Sequence, residues 1–459
     1  MINLDEKKLY ELLTERSKEE LINIILEYVE KSEEYEKDLL GKFGKLDEIE
    51  ELERIKEKIK QVLQNNNYRR FIGYIESENI CSEFSDLSAL SEKRREQGYY
   101  WLSVQIFLEM IKELMSMSNN GFEMLVYVFQ DCIKYLRNSI EVFEEREKPD
   151  KKEEILDLIL KISKRKVFNG WVENRYDLLE CAVPLLTKDN YKKLLETSKL
   201  LKETENKYER EAAYKEDKIL SLKVILKIEG LESGKEFSEQ YLEVEEIREW
   251  RVKTAIDEED YKLAGKLCQE MIHNIEVYSY QRMKKWLFLS LEIYELSQDI
   301  KNKIEVLKKI VLGGNLEYYE TLKGLLKERG DWESEYQILL NKFKKETFNN
   351  NYSRILKKEK EWEKLLKCVQ NNANLIRDYG EDLVIDYPEE TGEIYANLII
   401  NNAGETKGRK EYRLVCEDVL KLSKLGQDAK AKELILKLRE EYRRRPSFLD
   451  ELNKISEKL

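Results

Sequence analysis

The chain has 459 residues, with 93 acidic against 81 basic side chains and a formal net charge of −12. That length exceeds what one compact core sustains, so the chain is either several domains or one elongated repeat array. The acidic balance argues against a general binder of nucleic acid or anionic membranes, which needs a basic surface, and an apolar share of 41% excludes a disordered chain.

Only four prolines are present, and 38% of residues are charged, a mix that suits helices. No apolar run reaches the roughly 18 residues of a membrane span. The stretch Met1 to Glu6 is polar, without the layout of a signal peptide, so a cytoplasmic location is expected.

In chain order, Leu9, Leu12 and Leu13 predict a short helix. Ser17 and Glu20 then form an S-x-x-E capping box ahead of Leu21, Ile22, Ile25, Leu26 and Val29. A charged helix follows over 46–63, ended by a loop at Asn65-Asn66-Asn67. Val104, Phe107, Leu108, Ile111 and Met115 make one apolar helix face, and Leu125, Val128, Phe129, Cys132 and Leu136 another. Breaks are expected at 148–152, with Pro149, in the charged stretch 203–215, and at Asn349-Asn350-Asn351. Further stripes are Ala264, Leu267, Cys268, Met271, Ile272 and Ala431, Leu434, Ile435, Leu438, Tyr442. No convincing set of period-two strands is present.

A turn pattern repeats. Gly98-Tyr99-Tyr100, Glu259-Asp260-Tyr261, Gly330-Asp331-Trp332, Lys360-Glu361-Trp362 and Gly426-Gln427-Asp428-Ala429 each place a short polar turn before an apolar helix. A small residue follows three of them: Ser103, Ala264 and Ala431. This resembles the turn inside a tetratricopeptide hairpin, where an aromatic packs on the preceding helix and a small residue lets the pair approach. The spacing is irregular, so the repeats are degenerate. The expected fold is all-α, an α-solenoid of stacked helical hairpins. The expected segments are an N-terminal helical segment 1–150, middle hairpins 151–245, and tetratricopeptide-like repeats 246–459 with a terminal cap helix.

Catalytic chemistry is sparse. The single histidine, His273, ends an apolar stripe and is read as structural, and no triad can be assembled without a second base. Gly230-Leu231-Glu232-Ser233-Gly234-Lys235 is one residue short of a phosphate loop, has Glu236 where Ser or Thr should stand, and is read as a turn between helices. The six cysteines form no C-x-x-C and are read as small buried hydrophobes, so no metal or other cofactor is expected. Acidic pairs such as Asp331 and Glu333 or Glu389 and Glu390, and the basic run at 161–166, are read as solvated faces. Arg443-Arg444-Arg445 either stabilises a helix C-terminus or grips phosphate or an acidic partner. These three arginines are the candidate partner-binding residues. Most of the 27 tyrosines and six tryptophans are expected in the core, the remainder along a groove.

From Ile247 onward a longer order of features stands out. It runs Arg248-Glu249-Trp250, Asp260-Tyr261, Met283-Lys284-Lys285-Trp286, and Gly314-Asn315-Leu316-Glu317-Tyr318-Tyr319. It continues through Asp331-Trp332, Asp386-Tyr387-Pro388-Glu389 and Tyr395 to the end, Leu438-Arg439-Glu440-Glu441-Tyr442-Arg443-Arg444-Arg445-Pro446-Ser447-Phe448-Leu449. This series resembles the long helical region of bacterial SWIM zinc-finger proteins, most closely in the second half. The finger's C-x-C…C-x-H ligand pattern is absent, so its zinc and any nucleic-acid role do not carry over. What the resemblance implies is a helical scaffold for protein interaction, serving in a multi-component bacterial system.

The sequence therefore points to a non-catalytic helical-repeat scaffold that binds a protein or peptide. Two alternatives stand beside it. One is a regulatory sensor whose superhelix changes shape around a small ligand or peptide, and the other is an accessory nucleic-acid-associated factor.

Overall fold

The structure is a computed structural model, and it describes residues 13–14, 16–29, 31–32, 47–65, 74–116, 125–201, 207–274, 280–345, 350–457 and 459. Among these residues every regular element is a helix. The chain divides into two compact units, Met1–Lys253 and Thr254–Leu459.

In the first unit, α1 (Lys18–Val29) opens with the expected capping box. The Ser17 amide donates to Glu20 Oε2 at 2.9 Å, and the Glu20 amide donates to Ser17 Oγ at 3.2 Å. The short helix expected from Leu9 and Leu12 lies outside the described residues, as do Asn66, Asn67 and Asn349. α2 (Glu48–Asn65) and α3 (Tyr74–Glu96) lead into α4 (Tyr100–Ser116). Then come α5 (Val126–Arg146), α6 (Pro149–Ser163, with Pro149 in its first turn), α7 (Val172–Glu180) and α8 (Tyr191–Leu201). α9 (Lys207–Ile228) and α10 (Leu231–Gln240) follow, and α11 (Glu245–Asp257) reaches the unit boundary. The charged stretch expected to break the chain at 203–215 is, from Lys207 on, the start of the long α9.

The sequence gives α4 a single apolar face, but the structure buries it all round. Leu102 through Ile111 are all buried, as are Leu114 and Met115. The reason is its position: α2, α3, α5 and α6 all pack against it. Such a helix must carry small or satisfied polar groups wherever a neighbour approaches closely. Ser103 does this, with its Oγ 2.9 Å from Ser91 Oγ on α3 and 3.2 Å from Ser139 Oγ on α5. Buried Glu109 pairs with Lys112.

The second unit runs from the end of α11 through α12 (Tyr261–Asn274), α13 (Tyr280–Leu296), α14 (Ile300–Leu312), α15 (Tyr319–Arg329) and α16 (Trp332–Lys345). It continues with α17 (Asn351–Lys358), α18 (Trp362–Asn371), α19 (Ile376–Leu383) and α20 (Pro388–Glu405). The last three are α21 (Arg409–Lys424), α22 (Asp428–Glu441) and α23 (Pro446–Ser456). Successive helices pack on each other, and α14 also packs on α16, α18 on α20, α20 on α22 and α21 on α23. Contact with the next helix and the next but one is what stacked hairpins produce. The fold is an all-α solenoid of such hairpins.

The turn pattern marks the hairpins. Gly98, Glu259, Gly330, Lys360 and Gly426 all have positive φ. In four of these turns the following amide closes a Schellman motif on the preceding helix: Tyr99 to Arg94 O, Asp260 to Ala255 O, Asp331 to Leu326 O and Glu361 to Leu356 O, at 2.8–3.0 Å. That second residue also sits where the next helix begins. Asp260 Oδ1, for instance, accepts from the Leu263 amide at 3.0 Å. One turn of the same kind escaped the sequence pattern. Gln298 has φ 55°, the Asp299 amide donates to Tyr294 O, and Asp299 caps α14 through the Asn302 amide at 3.1 Å. The small residues Ser103, Ala264 and Ala431 are fully buried. Trp332 packs edge-on against Tyr319 of the preceding helix, ring centroids 5.9 Å apart.

Candidate functional site

The residues singled out from sequence do not converge. Arg445 anchors a helix end, but not that of the helix it follows. Its Nη1 donates to Ala403 O at 2.9 Å and Thr406 O at 3.0 Å, satisfying the C-terminal carbonyls of α20, while its guanidinium lies 4.5 Å from the Tyr442 ring centre. Arg443 and Arg444 stay exposed in the turn before α23. Arg165, in the basic run 161–166, does the same for α4, donating to Lys112 O at 3.3 Å. Lys161, Lys164 and Lys166 face solvent.

Three readings need correction. His273, read as structural at the end of an apolar stripe, is exposed at the end of α12, because the stripe stops at Ile272. The glycine-rich segment is not all turn. Gly230 alone forms the turn, with φ 93°, and Leu231 to Lys235 are the first turns of α10. Gly234 is there for contact, since a Cβ would sit 2.5 Å from Leu226 Cδ2. Four cysteines are buried as expected, but Cys81 and Cys368 are half-buried. Burial pushes the Cys181 and Cys416 thiols up to about 12, so both stay protonated.

The surface features that the structure does assemble lie in the second unit. Two adjoining depressions, of about 470 and 360 Å³, run between α12 and α14 and share Gln269 and Asn302. His273, Glu305 and Lys309 line the first, and Tyr261, Lys266 and Tyr294 line the second. A third, of about 720 Å³, opens between α16 and α18. The main lining helices are thus alternate ones, each following a left-handed turn within its hairpin, joined by Tyr294 of α13 and by Tyr352 and Ser353 of α17.

The third depression has the most distinctive chemistry. α16 contributes Gln337, Asn341 and Lys344, and α18 contributes Lys364, Lys367 and Asn371. Both sets recur at three- and four-residue steps, so each is one helix face. Asn350 and Asn372 complete the polar rim, and Leu340, Phe343, Cys368 and Leu375 give an apolar floor. None of its fourteen described lining residues is acidic, in a chain with more carboxylates than cations. Lys364 reaches Glu361 at 2.9 Å and Lys367 reaches Glu363 at 2.6 Å, both partners lying outside the lining. The Glu363 hydrogen bond raises the Lys367 pKa, which keeps the ammonium charged. Between Asn350 and Tyr352 sits Asn351, 3% exposed, whose Nδ2 has no hydrogen-bond partner.

A fourth hollow, of about 350 Å³, is spanned by an ion pair: Arg377 donates from Nη2 to Asp418 Oδ2 at 2.6 Å and from Nε to both carboxylate oxygens at 3.2 Å. That guanidinium is already engaged. The third depression was not legible in the sequence: Asn350 read as part of a loop, and Asn341, Asn371 and Asn372 are common polar residues of helix surfaces and ends. The available signal was the polar spacing at 337, 341, 344 and at 364, 367, 371, each set on one helix face.

Among the described residues no group of three or more His, Cys, Asp or Glu is placed to hold a metal, and no helix is long and apolar enough to cross a membrane. No family model matches the chain, and no curated protein matches it. The chain is similar to a solved circular tandem repeat protein with novel repeat topology and enhanced subunit contact surfaces, at 14% identity, covering 89% of this chain and 97% of that one, with a TM-score of 0.22.

Proposed function

We propose that the chain is a non-catalytic helical-repeat scaffold that holds a protein or peptide partner along the second unit. The observation that supports this is the set of depressions along the second unit, each with amide and lysine side chains in its lining, joined by carboxylates in the first two and by an apolar floor in the third. Stacked hairpins present such a face repeatedly, which suits an extended partner. Amide groups pair with a peptide backbone, because each offers a donor and an acceptor. The exposed Arg443 and Arg444 add a second place for an acidic partner. The resemblance to the helical region of SWIM zinc-finger proteins favours service in a multi-component bacterial system in the cytoplasm.

The test is affinity purification of the tagged full chain from its host at two salt concentrations, with a nuclease-treated control. A stoichiometric protein retained at high salt, which then binds the purified chain alone, is the expected result. Nucleic acid lost with salt would instead favour the accessory-factor reading, since phosphate contacts release counterions. A small ligand that raises the melting temperature would favour the sensor.

A further inference from the structure

We infer that the depression between α16 and α18 binds an extended, carboxylate-bearing peptide segment. This inference rests on the scaffold reading and names the partner's chemistry at one place. Charge complementarity favours such a segment. Lys344, Lys364 and Lys367 line the depression, and no described lining residue is acidic, although carboxylates outnumber cations in the chain as a whole. Among the described lining residues these three ammonium groups are the only charged ones. Their acidic neighbours Glu361 and Glu363 sit outside the lining, holding the lysines rather than filling the cavity.

The rest of the lining selects peptide over other anions. Asn341, Asn371 and Asn372 each carry an amide that can donate to a backbone carbonyl and accept from a backbone N–H. Spaced along two helices, they suit a chain with polar groups at regular intervals. Phe343, Leu340 and Leu375 give apolar side chains of that segment a floor. Single-stranded nucleic acid fits less well, because its bases call for exposed aromatic platforms and its phosphates for a longer cationic track. Tyr352 is the one aromatic besides Phe343 in the described lining, and no arginine is present there.

The inference is tested by selecting a random ten-residue peptide display library on the intact full chain. Enriched peptides are expected to be rich in Asp and Glu. Their affinity should fall about tenfold or more in the K344Q/K364Q/K367Q variant, the scale of losing one charge-assisted hydrogen bond, and about fivefold or more in N341A/N371A, the scale of losing neutral ones. It should not fall in K410Q/K424Q, which removes two exposed lysines of α21. Melting curves check that the variants are folded. If the enriched peptides are neutral or basic, or bind all variants alike, the inference fails while the scaffold reading stands. If the folded chain enriches no peptide, both fail.

Discussion

Helices α4 and α18 show two ways of using the same alphabet. α4 lies at the centre of the first unit, with α2, α3, α5 and α6 around it, and buries ten successive residues from Leu102 to Ile111. α18 buries Leu365, Leu366 and Val369 on one stripe and gives Lys364, Lys367 and Asn371 to a cavity. A helix wrapped on all sides serves stability and has no face left for a ligand. A helix in a hairpin stack keeps half its surface free, which is where a binding function can reside.

The largest effects are expected in the cores. Phe107→Ala should cost about 3–5 kcal/mol and loosen the first unit as a whole, because α4 touches so many neighbours. Leu365→Ala should cost about 2–4 kcal/mol, with accelerated amide exchange concentrated in α17 to α20 and little change in α12. Equal acceleration throughout the second unit would contradict nearest-neighbour stacking.

Close approaches come next. A Cβ on Gly313 would lie 1.9 Å from Tyr280 Cε2, whose hydroxyl is held by Asn315 at 2.5 Å. Gly313→Ala should therefore lower stability by about 2 kcal/mol in urea unfolding. The αL turns sharpen the point at lower cost. Gly330→Ala, at φ 79°, should cost about 1 kcal/mol, whereas Lys360→Gly, at φ 57°, should change stability by only a few tenths or raise it slightly.

In the first unit, burial pushes the Glu216 carboxyl up to about 7, aided by Glu180, Glu246 and Glu173 and opposed by Lys215. Between its ordinary 4.5 and 7 the folded chain binds the extra proton, so this group's contribution to stability declines as pH rises through that window. Glu216→Gln should flatten the decline by about 1 kcal/mol after allowance for screening, read from unfolding at pH 5 and pH 8.

Much of the fold was legible from local rules. Ser17 and Glu20 obey a capping code that acts within four residues, and the αL turns at Gly98, Gly330 and Gly426 use the residue that tolerates φ > 0. Glu259 and Lys360 were legible through the Asp-Tyr and Glu-Trp that follow them. Gln298 was not, because its turn begins with neither glycine nor an aromatic. The full burial of α4 depends on four helices spread from Glu48 to Ser163 closing around it, which no periodicity within α4 encodes. The site was less legible still. Arg445 binds the end of α20 only because the fold brings Ala403 and Thr406 to it, and the lysine-amide face arises by pairing two stripes from separate helices.

The proposed seat of the partner, on the faces of alternate helices in the second unit, is best probed by amide hydrogen exchange on the full chain, with and without the protein that co-purifies with it. Exchange should slow in α16 and α18, with α15 and α21 unchanged. Protection absent from α16 and α18 and confined to the turn carrying Arg443 and Arg444, or to the first unit, would contradict that placement.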